Sequence, residues 1–279
     1  MKTLLKPFFD AVLYRWNKFN LKKQQQQIAG LDWFSIKKLK HDKSSHLKMH
    51  RSKIGDLYYT QAQQLYHGLQ EVLVEEIYKV QLAPNARIID CGANIGISIL
   101  YFKSICPTAL ITAFEPDKHN FELLTKNCIV NNLNHVDLIE AAVWKENTDL
   151  KFMAQGGMDS KISIGAEEGI VVKAYSLTGY LQDPVDFLKL DIEGAEFEVL
   201  KSIKDYLSNI TNLFIEYHGA FTQTNELVEI LGMVQKAGFY VYIKEACNVY
   251  PTPFLISSKH GQFDVQLNIF CRKASNVLN

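Results

Sequence analysis

Residues 87–116 constrain the fold of this chain more than any other stretch, and they read RIIDCGANIGISILYFKSICPTALITAFEP. A short apolar run ends at Asp90, a loop with glycines at positions 92 and 96 follows, and the next segment has apolar residues at helical spacing. A second apolar run, residues 110–114, ends at Glu115. This order of strand, glycine loop, helix, strand and acid is typical of the first half of a nucleotide-binding α/β sheet.

The glycine loop favours a ligand other than a dinucleotide. A dinucleotide-binding loop reads G-x-G-x-x-G and presents a helix N-terminus to a pyrophosphate, whereas this loop reads D-x-G-x-N-x-G. The carboxylate of Asp90 suits a cationic ligand without phosphate, and S-adenosylmethionine carries a sulfonium and an ammonium group. Glu115, 23 residues after Gly92, could accept hydrogen bonds from ribose hydroxyls. The alternative is an ordinary turn with a helix cap, where Asp and Asn are common.

The bulk composition is that of a globular protein with an uneven charge distribution. Hydrophobic residues make up 47% of the chain and charged residues 22%, which excludes a disordered or membrane-spanning composition. The formal net charge is zero, but residues 1–54 carry thirteen Lys or Arg against three Asp, a balance of +10 that leaves −10 for the remainder. An acidic body is a poor surface for nucleic acid, so we expect no nucleic-acid partner.

The cysteines and the apolar segments indicate a reducing, intracellular location. The five cysteines, at positions 91, 106, 128, 247 and 271, form no C-x-x-C pair and lie mostly in apolar segments. They are therefore expected to be buried thiols and not a disulfide framework or a zinc site. No apolar run is long enough to span a bilayer, and Asp10 and Arg15 interrupt the N-terminal one, which lacks a signal-peptide cleavage site. We expect a cytoplasmic protein.

The basic N-terminus predicts a helical arm. Residues 1–27 have apolar side chains at near-helical spacing with lysines and an arginine around them. Such a helix could pack on the catalytic domain or on a second copy of the chain. It could also lie on the anionic inner face of a membrane, or contact nucleic acid. We therefore divide the chain into a basic arm and linker, residues 1–54, and a main domain, residues 55–279, with a cap helix in 55–84 and a core in 85–279.

A second group of acids follows another apolar run. Residues 185–196 read VDFLKLDIEGAE, so Asp191 and Glu193 lie at a predicted strand end, where an open α/β sheet places its ligand. Carboxylates this close repel one another unless a sulfonium, a metal ion or a lysine lies among them. The alternative is that Glu193 and Glu196 only stabilise a helix N-terminus.

The last third of the chain predicts the rest of the sheet and a candidate base. Residues 213–218, LFIEYH, form an apolar strand that ends at His218, whose imidazole titrates near neutrality and could act as a general base. Residues 239–244 and 264–273 alternate like two antiparallel strands at a sheet edge. The whole pattern predicts a mostly parallel seven-stranded sheet with a C-terminal antiparallel hairpin, flanked by helices.

Four segments together resemble the FkbM-type methyltransferases: IIDCGANIGISILYF, AFEPDKHNFELL, EAAV and DFLKLDIEGAEFEVL. The resemblance covers roughly residues 70–245. It implies a class I, Rossmann-like fold that uses S-adenosylmethionine and commonly methylates a hydroxyl of a sugar, glycan or other metabolite. The cofactor-binding residues that it implies are Asp90, Gly92, Ala93, Asn94 and Gly96 around the methionine end, Glu115 and Pro116 at the ribose, Ala142 at the adenine, and Asp191 near the methyl group.

The resemblance also implies that Asp191 and Glu193 face the methyl group and the acceptor. From its place at a strand end, we expect His218 to be the base, with Glu193 orienting it or the acceptor. We assign no metal, although a divalent ion held by Asp191, Glu193 and His218 is an alternative. Methylation of a nucleic acid or a protein is a second alternative, against which the chain lacks an N-P-P-Y-like tetrad. A non-catalytic scaffold in glycan assembly is a third.

Overall fold

The computed structural model describes residues 2–153, 161–162, 170–254 and 263–273. The α-helices in this part are α1 (Lys2–Ile28), α2 (Trp33–His41), α3 (Ala62–Leu69), α4 (Ile97–Ile105), α5 (Lys118–Val130), α6 (Glu196–Ser202) and α7 (Thr224–Lys236), and a π-helical turn (Gln70–Val74) continues α3. The strands are β1 (Lys48–Ser52), β2 (Gly55–Tyr59), β3 (Arg87–Cys91), β4 (Leu110–Phe114), β5 (Val136–Ile139), β6 (Ala142–Val143), β7 (Thr148–Met153), β8 (Lys161–Ile162), β9 (Ile170–Tyr175), β10 (Val185–Leu190), β11 (Ile210–Gly219), β12 (Phe239–Glu245) and β13 (Val265–Lys273).

Seven strands form the main sheet, in the order β12-β13-β11-β10-β3-β4-β5. The five strands from β11 to β5 are parallel to one another, whereas β13 runs antiparallel to both of its neighbours, β11 and β12. The predicted seven-stranded sheet with a terminal antiparallel hairpin is therefore confirmed. The order reverses direction between β3 and β10, and an open α/β sheet opens its ligand crevice at such a point.

The sheet is buried on both faces because successive side chains of a strand point to opposite sides. On β10, Phe187 packs into the apolar layer beneath α3, α4 and α5, and Leu188 packs into the layer beneath α6 and α7. A strand that is covered on both faces has a nearly continuous apolar sequence. This explains why β3, β4 and β10 could be recognised in the sequence.

A β-hairpin joins the N-terminal segment to the main domain. Strands β1 and β2 pair antiparallel across residues 53 and 54, so the hairpin crosses the boundary that we expected after residue 54. Leu31 and Leu39 are already in the apolar core. The lysines of residues 37–53 suggested a solvated linker, but the few apolar side chains among them are enough to anchor this segment. Residues 55–59, expected to begin a helix, form β2 instead.

Asn127 on α5 fastens this hairpin to the glycine loop. Its buried side chain accepts a hydrogen bond from the backbone N–H of Tyr58 at 2.6 Å and donates to the carbonyl oxygens of Tyr58 (3.1 Å) and Ile95 (2.8 Å). One amide thus satisfies three backbone groups that would otherwise lack partners. The hairpin is thus fixed to both α5 and the glycine loop.

The apolar residues of 136–143 predict one strand, the third of the main domain, but the structure divides this stretch into two elements. Its first half, β5, joins the main sheet, but Ala142 and Val143 leave it to pair with β9 in a second sheet of order β6-β9-β7-β8. The break falls at the polar residue Glu140, after which the backbone turns. Residues 155–169 contain four glycines, which predict a loop, and most of them lie outside the described residues.

The middle of α1 is uncovered. Four of its apolar side chains are between 58% and 67% exposed: Leu13, Tyr14, Trp16 and Phe19. These side chains therefore do not pack on the catalytic domain, which was one of the positions expected for the arm. Within the described ranges, no helix combines the length and the apolar character needed to cross a membrane.

Candidate active site

A cavity of about 370 Å³ opens at the carboxyl ends of β3, β4, β10 and β11, next to the reversal in strand order. This volume is within the range of small-molecule sites. Its lining residues are His67, Glu71, Gly92, Asn94, Phe114, Glu115, Pro116, Asn120, Ala141, Ala142, Val143, Asp191, Ile192, Glu193, Glu216, His218, Ala246, Cys247 and Gln266. Five carboxylates and no lysine or arginine are among these described residues, so the cavity repels phosphates and suits a cationic ligand.

The glycine loop passes directly over the end of β10. A Cβ on Gly92 would lie 1.8 Å from the carbonyl oxygen of Asp191, and the φ of Gly92 is +82°. Both features require glycine. The backbone N–H groups of Gly92 and Ala93 donate to the carbonyl oxygen of Phe114 at 3.0 and 2.9 Å, which fixes the loop between β4 and β10.

Lys189 neutralises the acids beneath this loop. Its ammonium lies 3.3 Å from Asp90 Oδ1 and 3.1 Å from Asp191 Oδ2, and it donates to the carbonyl oxygen of Gly92 at 2.8 Å. Burial alone would lower the pKa of Lys189, but Asp191 and Asp90 raise it well above its usual value. The lysine, one of the three cations considered for this acid group, is thus part of the protein itself.

Asp90 does not reach the cavity. It is 0% exposed, accepts a hydrogen bond from the Ser98 hydroxyl and faces Lys189. The direct contact with the cofactor that the sequence suggested for Asp90 does not fit this position, because its charge is already compensated by a residue of the neighbouring strand. Ala93 and Gly96 are also absent from the cavity wall, since Gly96 caps the start of α4.

Glu115 projects into the cavity from the end of β4. Its carboxylate accepts backbone hydrogen bonds from Asn94 at 2.7 Å and from Asp117 at 2.9 Å. Burial raises the pKa of Glu115 to about 7, although these two hydrogen bonds act in the opposite direction. A carboxylate has roughly four lone-pair positions, so Glu115 retains acceptor capacity for two hydroxyls of a ligand. Pro116 and Ala142 line the cavity beside it.

The opposite end of the cavity is acidic. His218, buried at the end of β11, has its Nδ1 3.3 Å from Oε1 of the fully buried Glu196. Its Nε2 lies 3.7 Å from Glu193 Oε2 and 3.6 Å from Glu216 Oε1. Glu193 reaches this position through a left-handed backbone conformation with a φ of +56°, which is uncommon for a non-glycine residue.

These carboxylates alter the chemistry expected of His218. Burial alone would lower its pKa, but the hydrogen bond and the charge of Glu196, together with Glu193 and Glu216, raise the pKa of His218 well above its usual value. An imidazole that already carries its proton at neutral pH is a hydrogen-bond donor and not a proton acceptor. The base role that the sequence suggested for His218 therefore conflicts with its surroundings.

Glu71 and Glu216 were missed from the sequence as site residues. Glu71 lies in the π-helical turn after α3 and lines the cavity together with His67. Burial, and then the charges of Asp191 and Glu75, raise the pKa of Glu71 to about 7. Glu216 precedes His218 by two residues on β11, so both side chains leave the same face of the strand. That spacing was the one signal in the sequence that could have revealed Glu216.

Comparisons with known proteins identify the class and then the family. The fold resembles that of M. jannaschii TYW2 in complex with AdoMet, with a TM-score of 0.50 and 14% identity over 83% of this chain and 87% of that chain. A solved methyltransferase FkbM from Methylobacillus flagellatus KT gives a TM-score of 0.46 and 15% identity over 75% of this chain and 54% of that chain. The architecture is that of class I methyltransferases.

The profile of the methyltransferase FkbM domain matches residues 90–241. Methyltransferase 1 of Beauveria bassiana (strain ARSEF 2860) is 25% identical over 195 residues, which are 58% of this chain and 78% of that protein. The chain belongs to the FkbM methyltransferase family, which confirms the resemblance seen in the sequence, and it is an S-adenosylmethionine-dependent methyltransferase.

The buried lysine gives a prediction about stability. Replacing Lys189 with Met leaves Asp90 buried without its counter-charge, and breaking a buried pair in this way costs about 3–5 kcal/mol. We expect a loss of this size in the free energy of unfolding, measured by guanidinium denaturation. The double variant Lys189→Met/Asp90→Asn also removes the uncompensated charge of Asp90, so it should recover part of the lost free energy of unfolding. A loss below about 1 kcal/mol in the single variant would contradict this role.

Proposed function

We propose that this protein transfers the methyl group of S-adenosylmethionine to a hydroxyl of a sugar, glycan or other small metabolite. The observation that carries the proposal is the division of one cavity into two ends. Glu115 and the glycine loop form one end, and the carboxylates around His218 form the other. When the donor and the acceptor are bound in one cavity, the loss of translational and rotational entropy needed to bring them together has already occurred on binding, and the barrier to their reaction is lower.

The residues of the first end fit the cofactor. Glu115 would accept hydrogen bonds from the ribose hydroxyls, Ala142 and Pro116 would contact the adenosine, and Gly92 and Asn94 would lie along the methionine. Asp191 would face the sulfonium side. When bound, the cofactor supplies a methyl group on a sulfonium; transfer breaks the S–C bond, leaves its electron pair on sulfur and forms an O–C bond at the acceptor.

The residues of the second end would hold the acceptor and take its proton. A hydroxyl is a weak nucleophile until its proton leaves, and the most effective base has a pKa near the working pH. Glu71, with a pKa of about 7, meets this condition better than His218. We therefore place the proton of the acceptor hydroxyl on Glu71, while Glu193 and His218 hold the acceptor in position.

Cofactor binding tests the first end of the cavity. We expect calorimetric titration with S-adenosylmethionine to show binding that tightens by up to about tenfold from pH 6 to pH 8, because the carboxylate of Glu115, with a pKa of about 7, is the better acceptor when ionised. The variant Glu115→Gln should bind more weakly and lose this pH dependence. NAD is the control ligand, and its binding in preference to S-adenosylmethionine by folded protein would contradict the proposal.

Turnover tests the second end. In a screen of sugar nucleotides and lipid-linked glycans, an acceptor found for the unaltered protein should be methylated by Glu71→Gln with a kcat lower by about 10²- to 10⁴-fold, as expected for loss of a general base. Cofactor affinity should not change. Glu198→Gln is the matched control, since Glu198 pairs with Lys145 on the surface. A normal kcat in Glu71→Gln would refute its role, and RNA-stimulated turnover would favour a nucleic-acid substrate.

We also propose that α1 binds an anionic membrane surface. Its exposed apolar side chains, Trp16 and Phe19 among them, stand beside basic residues, and no Asp or Glu occurs in residues 11–31. Apolar and basic side chains together favour the interface of anionic bilayers.

The proposed binding of α1 to a membrane can be tested with lipid vesicles. The full chain should co-sediment with phosphatidylserine-containing vesicles and far less with purely zwitterionic ones, because the basic side chains require anionic lipid. Removing residues 1–27 should abolish the difference, and the double substitution Trp16→Ser/Phe19→Ser should weaken binding. Co-sedimentation unchanged by the deletion would rule out this surface.

A further inference from the structure

The acidic end of the cavity has the composition of a metal site. Asp191, Glu193 and His218 each offer one ligand atom, and these atoms lie within 4.8 Å of one another. Asp191 directly follows β10 and His218 lies on the adjacent parallel strand β11, so the sheet sets the spacing of these two residues. The loop after β10 brings Glu193 to them through its left-handed backbone conformation. Carboxylate oxygens with one imidazole nitrogen are a donor set for a divalent cation such as Mn²⁺ or Mg²⁺.

The orientation of His218 is independent support for this site. Metal-binding histidines commonly donate their second ring N–H to a carboxylate, which fixes the ring and its tautomer. Here the carboxylate is Glu196, whose Oε1 is 3.3 Å from Nδ1 of His218. Glu196 is itself fixed, because it accepts backbone hydrogen bonds from Ile192 and Gly194 at 3.1 to 3.2 Å. This arrangement directs Nε2 of a 5% exposed histidine towards the carboxylates.

The distances around Nε2 also fit a cation better than hydrogen bonds. Glu193 and Glu216 lie 3.7 and 3.6 Å from Nε2, beyond the usual hydrogen-bond range of about 2.7–3.2 Å. Ligands at about 2.1 Å from an octahedral cation are separated by roughly 3.0 Å, so a contraction of less than 1 Å would bring Glu193 and His218 to this separation.

A buried polar atom lies on the strand next to Glu216. Asn268 pairs with Glu216 across β11 and β13, and its side-chain oxygen has no hydrogen-bond donor among the described residues.

We propose that Asp191, Glu193 and Nε2 of His218 bind a divalent cation, with Glu216 as an adjoining carboxylate. The cation takes the place of the proton that Nε2 carries in the metal-free protein, and that proton is released to solvent. Asp191 pairs with Lys189 through Oδ2, which leaves its other oxygen for the cation. The role of this cation rests on the proposed function: it would bind the acceptor oxygen, lower the pKa of that hydroxyl and hold it beside the methyl group, while the proton passes to Glu71.

Manganese binding tests the site without any need for turnover. Titration of the full chain with Mn²⁺, followed by the loss of the free-ion electron paramagnetic resonance signal, should show one bound ion per chain. Glu193→Gln and His218→Gln should each weaken the binding by at least tenfold, and Glu196→Gln by about 10- to 100-fold, as found for residues that orient a ligand. Glu198→Gln, on the surface, should bind as the unaltered protein does.

Spin-echo spectra of bound Mn²⁺ should also show coupling to a nitrogen that disappears in His218→Gln. Absence of Mn²⁺ binding by the folded chain would overturn the proposal, as would binding that these variants leave unchanged. Titration of the same preparation with S-adenosylmethionine separates the two hypotheses. Cofactor binding without Mn²⁺ binding refutes the metal site alone, and Mn²⁺ binding without cofactor binding refutes the proposed function alone.

Discussion

The structure of the site depends on one buried lysine. Charges are costly to remove from water unless each is paired, and at the reversal of strand order the chain buries Asp90 completely and Asp191 partly. Lys189 compensates both and also binds the carbonyl oxygen of Gly92. The glycine loop, β3 and β10 are thus held by one ammonium group, and the floor of the cavity is fixed before any ligand is present.

Above this floor the cavity separates two kinds of chemistry. Glu115 accepts backbone hydrogen bonds and retains capacity for neutral hydroxyl donors. Around His218 the carboxylates outnumber the cations, and burial together with Asp191 raises the pKa of Glu216 well above its usual value. A cation bound among these carboxyl groups favours their ionised forms, so the site is suited to cationic ligands, and the sulfonium cofactor and a divalent ion both satisfy that requirement.

The sequence predicted the sheet well because β3, β4 and β10 are apolar runs that end in polar residues, so both the strands and the edge that carries the site could be located. It predicted less well what depends on packing. Asp90 was expected to contact a ligand, since its partner Lys189 is 99 residues away in the chain and adjacent only across β3 and β10. The β1–β2 hairpin was missed because its polar, lysine-rich sequence resembles a linker.

The position of Glu71 has a consequence for how this enzyme could diverge from its relatives. The family profile covers residues 90–241, which include the glycine loop, Glu115 and the strand-end acids. Glu71 and His67 come from before this region, and Ala246, Cys247 and Gln266 come from after it. The matched region thus forms most of the cavity, including its acidic end at Glu193, Glu216 and His218, whereas the flanking segments complete the wall. Substitutions in those flanks can reshape one part of the cavity wall while the residues of the matched region stay unchanged.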